Sequence, residues 1–137
     1  RDRIIFPIWD QYGQVVGFGS RAVFDYQKGK YINSKESFVF NKKNVLYGLN
    51  FAKNTIREKG QVILVEGYMD CLSMHQFGFE QTVAVMGVAL GKKSLKNLNS
   101  LHPQIVLGLD ADQAGLTAMT RMNKDLLEEG LLPKRLD

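Results

Sequence analysis

Two apolar runs that each end in carboxylates constrain this chain more than any other feature. Residues 62–65, Val-Ile-Leu-Val, lead into Glu66, and residues 105–109 lead into Asp110 and Asp112. Each run is typical of a buried strand, and the carboxyl ends of parallel strands share the sheet edge where ligands bind. Carboxylates gathered at that edge repel one another unless a cation holds them. The pattern therefore predicts magnesium and phosphate chemistry.

The composition is that of a folded protein without a membrane span. Hydrophobic residues make up 45% of the 137 residues, and no apolar run approaches the ~18 to 20 residues that a span requires. Cys71 is the only cysteine, which excludes an internal disulfide and a cysteine-based zinc site. Residues 1–30 show no signal-peptide pattern, and the first residue is Arg1 rather than Met. We therefore expect a piece of a longer cytoplasmic protein.

The net charge of +4 hides an asymmetry between the two parts of the chain. Residues 1–60 carry eleven Lys and Arg against five Asp and Glu, whereas residues 61–137 carry seven against nine. A basic part attracts a polyanion and an acidic part holds metal, a combination that a nucleic-acid enzyme needs. The alternative is that the surface lysines only confer solubility.

The front part of the chain is predicted to be of mixed structure. Its predicted elements are strands over 4–9 and 15–24 around a hairpin turn, an irregular loop over 25–37, and a helix over 49–59. From Gly60 onward strands alternate with helices, which implies right-handed crossovers and a parallel sheet. The later elements are strands over 61–66, 82–86 and 104–110, helices over 69–77, 93–101 and 113–129, and the start of a further strand in 131–137. We therefore divide the chain into a basic part, 1–59, and an α/β part, 60–137.

Local sequence leaves the role of each carboxylate open. Glu66 is either a functional group or a cap for the helix that follows it. Asp110 and Asp112 occupy alternate positions and would point to one side if the strand continued that far, while Asp112 also suits the N-cap of the next helix. Asp70 lies where it either stabilises a helix N-terminus or helps to arrange a metal.

A basic loop in the front part combines cations with aromatic rings. Such side chains contact phosphates and stack on bases in nucleic-acid-binding proteins, although a solvated basic loop has the same composition. Its polar members are Arg21, Lys30, Asn33, Lys42 and Lys43, and its rings are Tyr31, Phe38 and Phe40.

The two carboxylate motifs and several segments of the front part resemble those of a known protein family. Residues 66–70 (Glu-Gly-Tyr-Met-Asp) and 110–115 (Asp-Ala-Asp-Gln-Ala-Gly) are similar to the two motifs of the TOPRIM domain. The front part resembles the basic subdomain of the RNA polymerase core of bacterial DnaG-type DNA primases at 6–8, 17–21, 30–34, 40–42 and 46–49. The resemblance implies an α/β fold, with a TOPRIM-type parallel sheet and flanking helices, preceded by part of a mixed α+β basic subdomain.

The resemblance also implies an activity and the residues that carry it. It implies magnesium-dependent synthesis of short RNA primers from ribonucleoside triphosphates on single-stranded DNA, with manganese as a substitute metal. Glu66, Asp110 and Asp112 would form the catalytic and metal centre, with Asp70 as a further candidate ligand. The residues expected to bind nucleic acid or nucleotide are Arg21, Lys30, Tyr31, Asn33 and Lys42.

Other parts of such a primase are expected outside this chain. The resemblance implies a zinc-binding domain before it, a helicase-binding domain after it, and a further Asp-x-Asp cluster downstream. We expect a monomeric piece, weakly active or inactive alone, from a protein that works at the bacterial replication fork in the nucleoid. The alternatives are a TOPRIM nuclease or topoisomerase-like protein, and a non-catalytic module that binds single-stranded DNA.

Overall fold

The structure, a computed structural model, describes residues 2–87, 89–110 and 112–135, and for Arg135 the backbone only. Its strands are β1 (Arg3–Trp9), β2 (Val15–Ala22), β3 (Tyr31–Asn33), β4 (Leu46–Tyr47), β5 (Gln61–Val65), β6 (Thr82–Val85), β7 (Gln104–Leu107) and β8 (Pro133–Arg135). Its α-helices are α1 (Leu49–Lys59), α2 (Tyr68–Gln76), α3 (Lys92–Asn99) and α4 (Gln113–Glu128), and a short 3-10 helix spans Lys42–Asn44.

The strands form two sheets. β1, β2 and β3 make an antiparallel sheet, and the second sheet has the order β4-β6-β5-β7-β8. β5, β6, β7 and β8 pair in parallel, while β4 is antiparallel to β6. The predicted α/β class with a parallel sheet is therefore confirmed, and one antiparallel edge strand is added to it.

The five-stranded sheet is buried on both faces, which is why its strands are continuous apolar runs. On β5, Val62 and Leu64 pack with α1, α3 and α4, whereas Ile63 and Val65 face α2 and the three-stranded sheet. This alternation follows from the two-residue period of a strand. Within the described residues, no helix is both long and apolar enough to cross a membrane.

Glycines on β2 allow the two sheets to approach closely. A Cβ atom at Gly17 would lie 3.2 Å from the ring of Phe40, and one at Gly19 would lie 2.8 Å from the ring of Tyr68. Phe40 is fully buried and Tyr68 is 5% exposed. The three-stranded sheet thus lies directly on the rings that cover the larger sheet.

Several element boundaries differ from the sequence prediction. The helix predicted over 49–59 is confirmed, but β3 lies inside the stretch predicted to be an irregular loop. β3 forms because its three residues pair with β2, a long-range contact that local composition does not reveal. β7 ends at Leu107, so the expectation that Asp110 lies on a continuing strand is wrong.

The core of the five-stranded sheet begins earlier in the chain than the predicted boundary at Gly60. β4 and α1 precede Gly60 and yet contribute Leu46, Leu49 and Ile56 to the core of the five-stranded sheet. The division of the chain at Gly60 remains a prediction. The further strand predicted within 131–137 is present as β8, and Leu136 and Asp137 lie outside the described residues.

We expect the Cys71 thiol to be inert in the native protein. It is 1% exposed, and burial raises its pKa from the ordinary value of 9.0 to about 12. Since the thiolate is the nucleophile, reaction with an aromatic disulfide reagent at pH 8 should be slower than in the urea-unfolded chain by on the order of 10²-fold or more. Equal rates in the native and unfolded protein would contradict this burial.

Candidate functional site

A cleft of about 320 Å³ lies where the carboxyl ends of the parallel strands meet the three-stranded sheet. Glu66 follows β5 directly, and Asp110 lies three residues beyond the end of β7. Five of the residues predicted from the sequence line this cleft together: Tyr31, Asn33, Glu66, Asp70 and Asp110. The fold thus brings residues of the basic loop beside the carboxylates, although they are far apart in the chain.

Glu66 holds the segment after β7 in place. Its Oε1 atom accepts a hydrogen bond from the backbone N–H of Asp110, with an N–O distance of 3.3 Å. The capping of α2 falls instead to Asp70, whose Oδ2 atom accepts from the N–H of Gly67 at 3.1 Å. Local sequence left open whether Glu66 caps the helix or has a functional role. The cap is made by Asp70, so Glu66 does not have the capping role.

Asp112 is the N-cap of α4. Its Oδ1 atom accepts a hydrogen bond from the N–H of Gly115 at 2.7 Å, as its position before Gln113 predicted. Asp112 is exposed and is not among the residues that line the cleft, so the structure does not gather all the predicted carboxylates there.

Gly115 is a site residue whose structural role sequence reasoning missed. A Cβ atom on it would lie 2.0 Å from the carbonyl oxygen of Asp110 and 3.1 Å from Oε1 of Glu66. Only a residue without a side chain allows α4 to begin this close to both groups. The available signal was a glycine in the first turn of a long helix, where glycine is otherwise unfavourable.

The carboxylates leave an uncompensated negative charge in the cleft. Burial raises the pKa of Glu66 above its ordinary value, the charges of Asp110, Asp112 and Asp70 raise it further, and the hydrogen bond from Asp110 acts in the opposite direction. Among the residues that the structure describes, the one ion pair is Lys124–Glu128 on α4, far along that helix. No lysine or arginine therefore neutralises the cleft carboxylates within the described part of the chain.

The donors in the cleft suit a hard cation. No group of three or more His, Cys, Asp or Glu side chains in the described ranges is placed to hold a metal ion. Glu66 and Asp110 nevertheless offer carboxylate oxygens at one cleft, and Mg²⁺ characteristically takes one or two carboxylates together with waters and phosphates. The chemistry of these donors therefore fits magnesium bound jointly by protein and substrate.

Two cations lie beside Tyr31, one of the residues that line the cleft. The guanidinium carbon of Arg21 lies 5.9 Å from the centroid of the Tyr31 ring, and the Nζ atom of Lys30 lies 6.0 Å from it. Asn33 lines the cleft, and its buried Oδ1 atom has no hydrogen-bond partner among the described residues. Lys42 is placed elsewhere, on the 3-10 helix that packs against α3, and is not a lining residue of the cleft.

Two family models match the chain. The DNA primase catalytic core, N-terminal domain, matches residues 1–53, and the Toprim-like family matches residues 63–137. This chain belongs to the Toprim-like family. The second match covers the carboxylate edge, and the first covers the basic loop beside it.

Relatives and solved structures agree with this assignment. The chain is 48% identical to the DNA primase of Clostridium acetobutylicum over 130 residues, which is 94% of this chain and 21% of that protein. It matches the crystal structure of the Aquifex aeolicus primase zinc-binding and RNA polymerase domains with a TM-score of 0.88 and 38% identity, covering 99% of this chain and 35% of that one.

A structure of the DnaG primase catalytic domain bound to single-stranded DNA matches with a TM-score of 0.83 and 34% identity, covering 93% of this chain and 40% of that one. The chain spans about a fifth of the length of the curated relatives that it matches.

We expect Gly115→Ala to disrupt the carboxylate edge. The new Cβ atom would overlap the carbonyl of Asp110 at 2.0 Å, so the segment around Asp110 must shift. We expect a loss of ~2 to 4 kcal/mol in the free energy of unfolding, measured by urea denaturation. Gly87→Ala is the matched control, since a Cβ atom there has no neighbour within 4 Å. Equal stability of the two variants would contradict the close approach.

We expect Glu66→Gln to stabilise the metal-free protein at neutral pH. The pKa of Glu66 is raised above its ordinary value of 4.5, so the folded state disfavours the carboxylate, and the wild type loses stability as the pH rises through the folded pKa. The gain in the variant should be below ~1 kcal/mol at pH 7, a rise in Tm of at most about 4 °C, and should vanish below about pH 4.

The control for this prediction is Glu58→Gln, an exposed glutamate on α1. A gain that is the same at pH 4 and pH 7, or that Glu58→Gln reproduces, would show that it does not arise from charge repulsion at the cleft.

Proposed function

We propose that this chain forms the part of a DNA primase that holds the template strand beside the catalytic metal during RNA primer synthesis. The substrates are ribonucleoside triphosphates, and the template is single-stranded DNA. The protein would work in the bacterial cytoplasm, at the replication fork. The observation that carries the proposal is the cleft in which Glu66 and Asp110 lie together with Tyr31 and Asn33.

The two sides of the cleft have the charges that polymerisation requires. Glu66 and Asp110 would hold Mg²⁺, which when bound supplies charge neutralisation for the triphosphate and for the leaving pyrophosphate. Glu66 also keeps the Asp110 segment in register through its hydrogen bond to the backbone. Gly115 allows α4 to start beside both residues without displacing them.

The template strand would lie along the basic side of the cleft. Arg21 and Lys30 lie beside the ring of Tyr31, where they can contact phosphates while the ring faces a base. Binding through phosphates makes the affinity depend steeply on salt concentration. Supporting this role, a primase domain with a TM-score of 0.83 to this chain was solved bound to single-stranded DNA.

We expect Asp110→Asn to weaken magnesium binding and to slow primer synthesis strongly. The chain is incubated with a single-stranded template, ribonucleotides and Mg²⁺, and the RNA products are separated by electrophoresis. The variant should make primers at least about 100-fold more slowly, and calorimetric titration with Mg²⁺ should show weakened binding. Asp125→Asn on α4 serves as the control, since this aspartate is not among the cleft residues.

The same assay separates the alternatives. Cleavage of the template without primer synthesis would indicate a nuclease. Binding of the strand that ignores both Mg²⁺ and Asp110→Asn would indicate a non-catalytic binding module. If the wild-type chain makes no primers, the titration still tests the metal site, and equal Mg²⁺ binding by wild type and variant would overturn the assignment of Asp110.

A further inference from the structure

The loop between β2 and β3, residues 23–30, presents a pair of stacked aromatic rings to solvent. The ring centroids of Phe24 and Tyr26 are 5.4 Å apart and the ring planes differ by only 9°. Phe24 is 47% exposed and Tyr26 is 78% exposed. Two parallel rings at a loop tip bury little area against the protein and leave aromatic surface open, so the core does not account for them.

The loop that carries these rings is held in a defined shape. The side-chain oxygen of Gln27 accepts hydrogen bonds from the N–H groups of Val23 and Phe24, and its side-chain nitrogen donates to the carbonyl of Asp2. The guanidinium of Arg3 donates to the carbonyl of Gly29. Because these bonds order the loop before any ligand arrives, a ligand that uses the rings pays little ordering cost.

The charges around the rings identify the class of ligand. Lys28 and Lys30 are exposed on the same loop, and neither makes an ion pair within the described ranges. Lys30 and Arg21, at the base of the loop, lie beside Tyr31, which lines the carboxylate cleft. Asp25, between the rings, offsets one of these charges, but rings followed by two unpaired lysines still favour a polyanion that also carries flat apolar groups, which describes a single nucleic-acid strand.

We propose that Phe24 and Tyr26 form a stacking platform for an unpaired base of a strand that runs outward from the cleft along this loop. The exposed face of Tyr26 takes the base, Phe24 supports the ring from behind, and Lys28 and Lys30 contact the flanking phosphates. This inference rests on the proposed function, which brings a single strand to the neighbouring cleft, and it extends the footprint beyond the residues predicted from the sequence.

The test compares two strands that carry the same charge. Binding of fluorescently labelled oligothymidylate is measured by anisotropy, together with binding of an abasic strand of the same length. Tyr26→Ser should weaken binding of oligothymidylate by about 5-fold or more and should leave binding of the abasic strand unchanged within about twofold. Tyr26→Leu, which keeps apolar bulk at this position, should show the same pattern.

Two further variants serve as controls. Phe77→Ser removes a ring that is also 78% exposed, after the end of α2, and should change neither affinity. Lys30→Ala should weaken binding of both strands and reduce the salt dependence, because it removes a phosphate contact. Circular dichroism of each variant checks that the fold is retained.

The outcomes separate this proposal from the proposed function. If Tyr26→Ser binds oligothymidylate as the wild type does, or loses affinity for both strands equally, the platform is overturned while primer synthesis stands. If the wild type binds neither strand, both the platform and the template role fail. If base-dependent binding is lost in Tyr26→Ser but Asp110→Asn leaves Mg²⁺ binding unchanged, the platform stands and the metal assignment fails.

Discussion

The geometry of the candidate site depends on the side chain of Tyr68, which contacts both sheets. Its ring lies 4.8 Å from that of Phe6, 5.6 Å from Tyr47 and 5.7 Å from Tyr31, between centroids, and its hydroxyl donates to the carbonyl of Ser20 at 3.1 Å. These contacts join the three-stranded sheet to the start of α2. Because Tyr68 follows Glu66 by two residues, the same ring sets the distance between the basic loop and the carboxylates.

The local elements of this fold could be predicted from the sequence, whereas its long-range pairings could not. The apolar runs at 62–65 and 105–107 reveal buried strands, because both faces of the sheet are covered. β3 and β4 are too short to have a local pattern, and they exist only through pairing with β2 and β6. The same limit applies to the site: the carboxylates were evident from their strands, but the position of Asn33 beside them depends on the register of β3.

The cleft separates charge instead of neutralising it. Burial and neighbouring carboxylates raise the pKa of Glu66, while Arg21 and Lys30 face the ring of Tyr31 and form no ion pair in the described part of the chain. Carboxylates that repel one another at a partly buried edge cost stability, so stability alone does not account for their grouping. Because the carboxylates and the cations are not paired with each other, the carboxylates can bind a metal ion and the cations can bind the phosphates of a nucleic-acid strand. This separation agrees with a binding role for both sides.

The environment of Tyr68 also bears on the topoisomerase alternative, which requires a nucleophilic tyrosine. Tyr68 is 5% exposed, its hydroxyl is held by the carbonyl of Ser20, and burial raises its pKa. To attack a phosphate it would have to leave the space beneath Gly19, and the two sheets would then lose the contact that positions the cleft. Tyr68 cannot both hold the two sheets together and move out to act as a nucleophile. Tyr68 is therefore unsuited to act as the nucleophile, which agrees with our proposal that the carboxylate oxygens of Glu66 and Asp110 carry the chemistry at this edge.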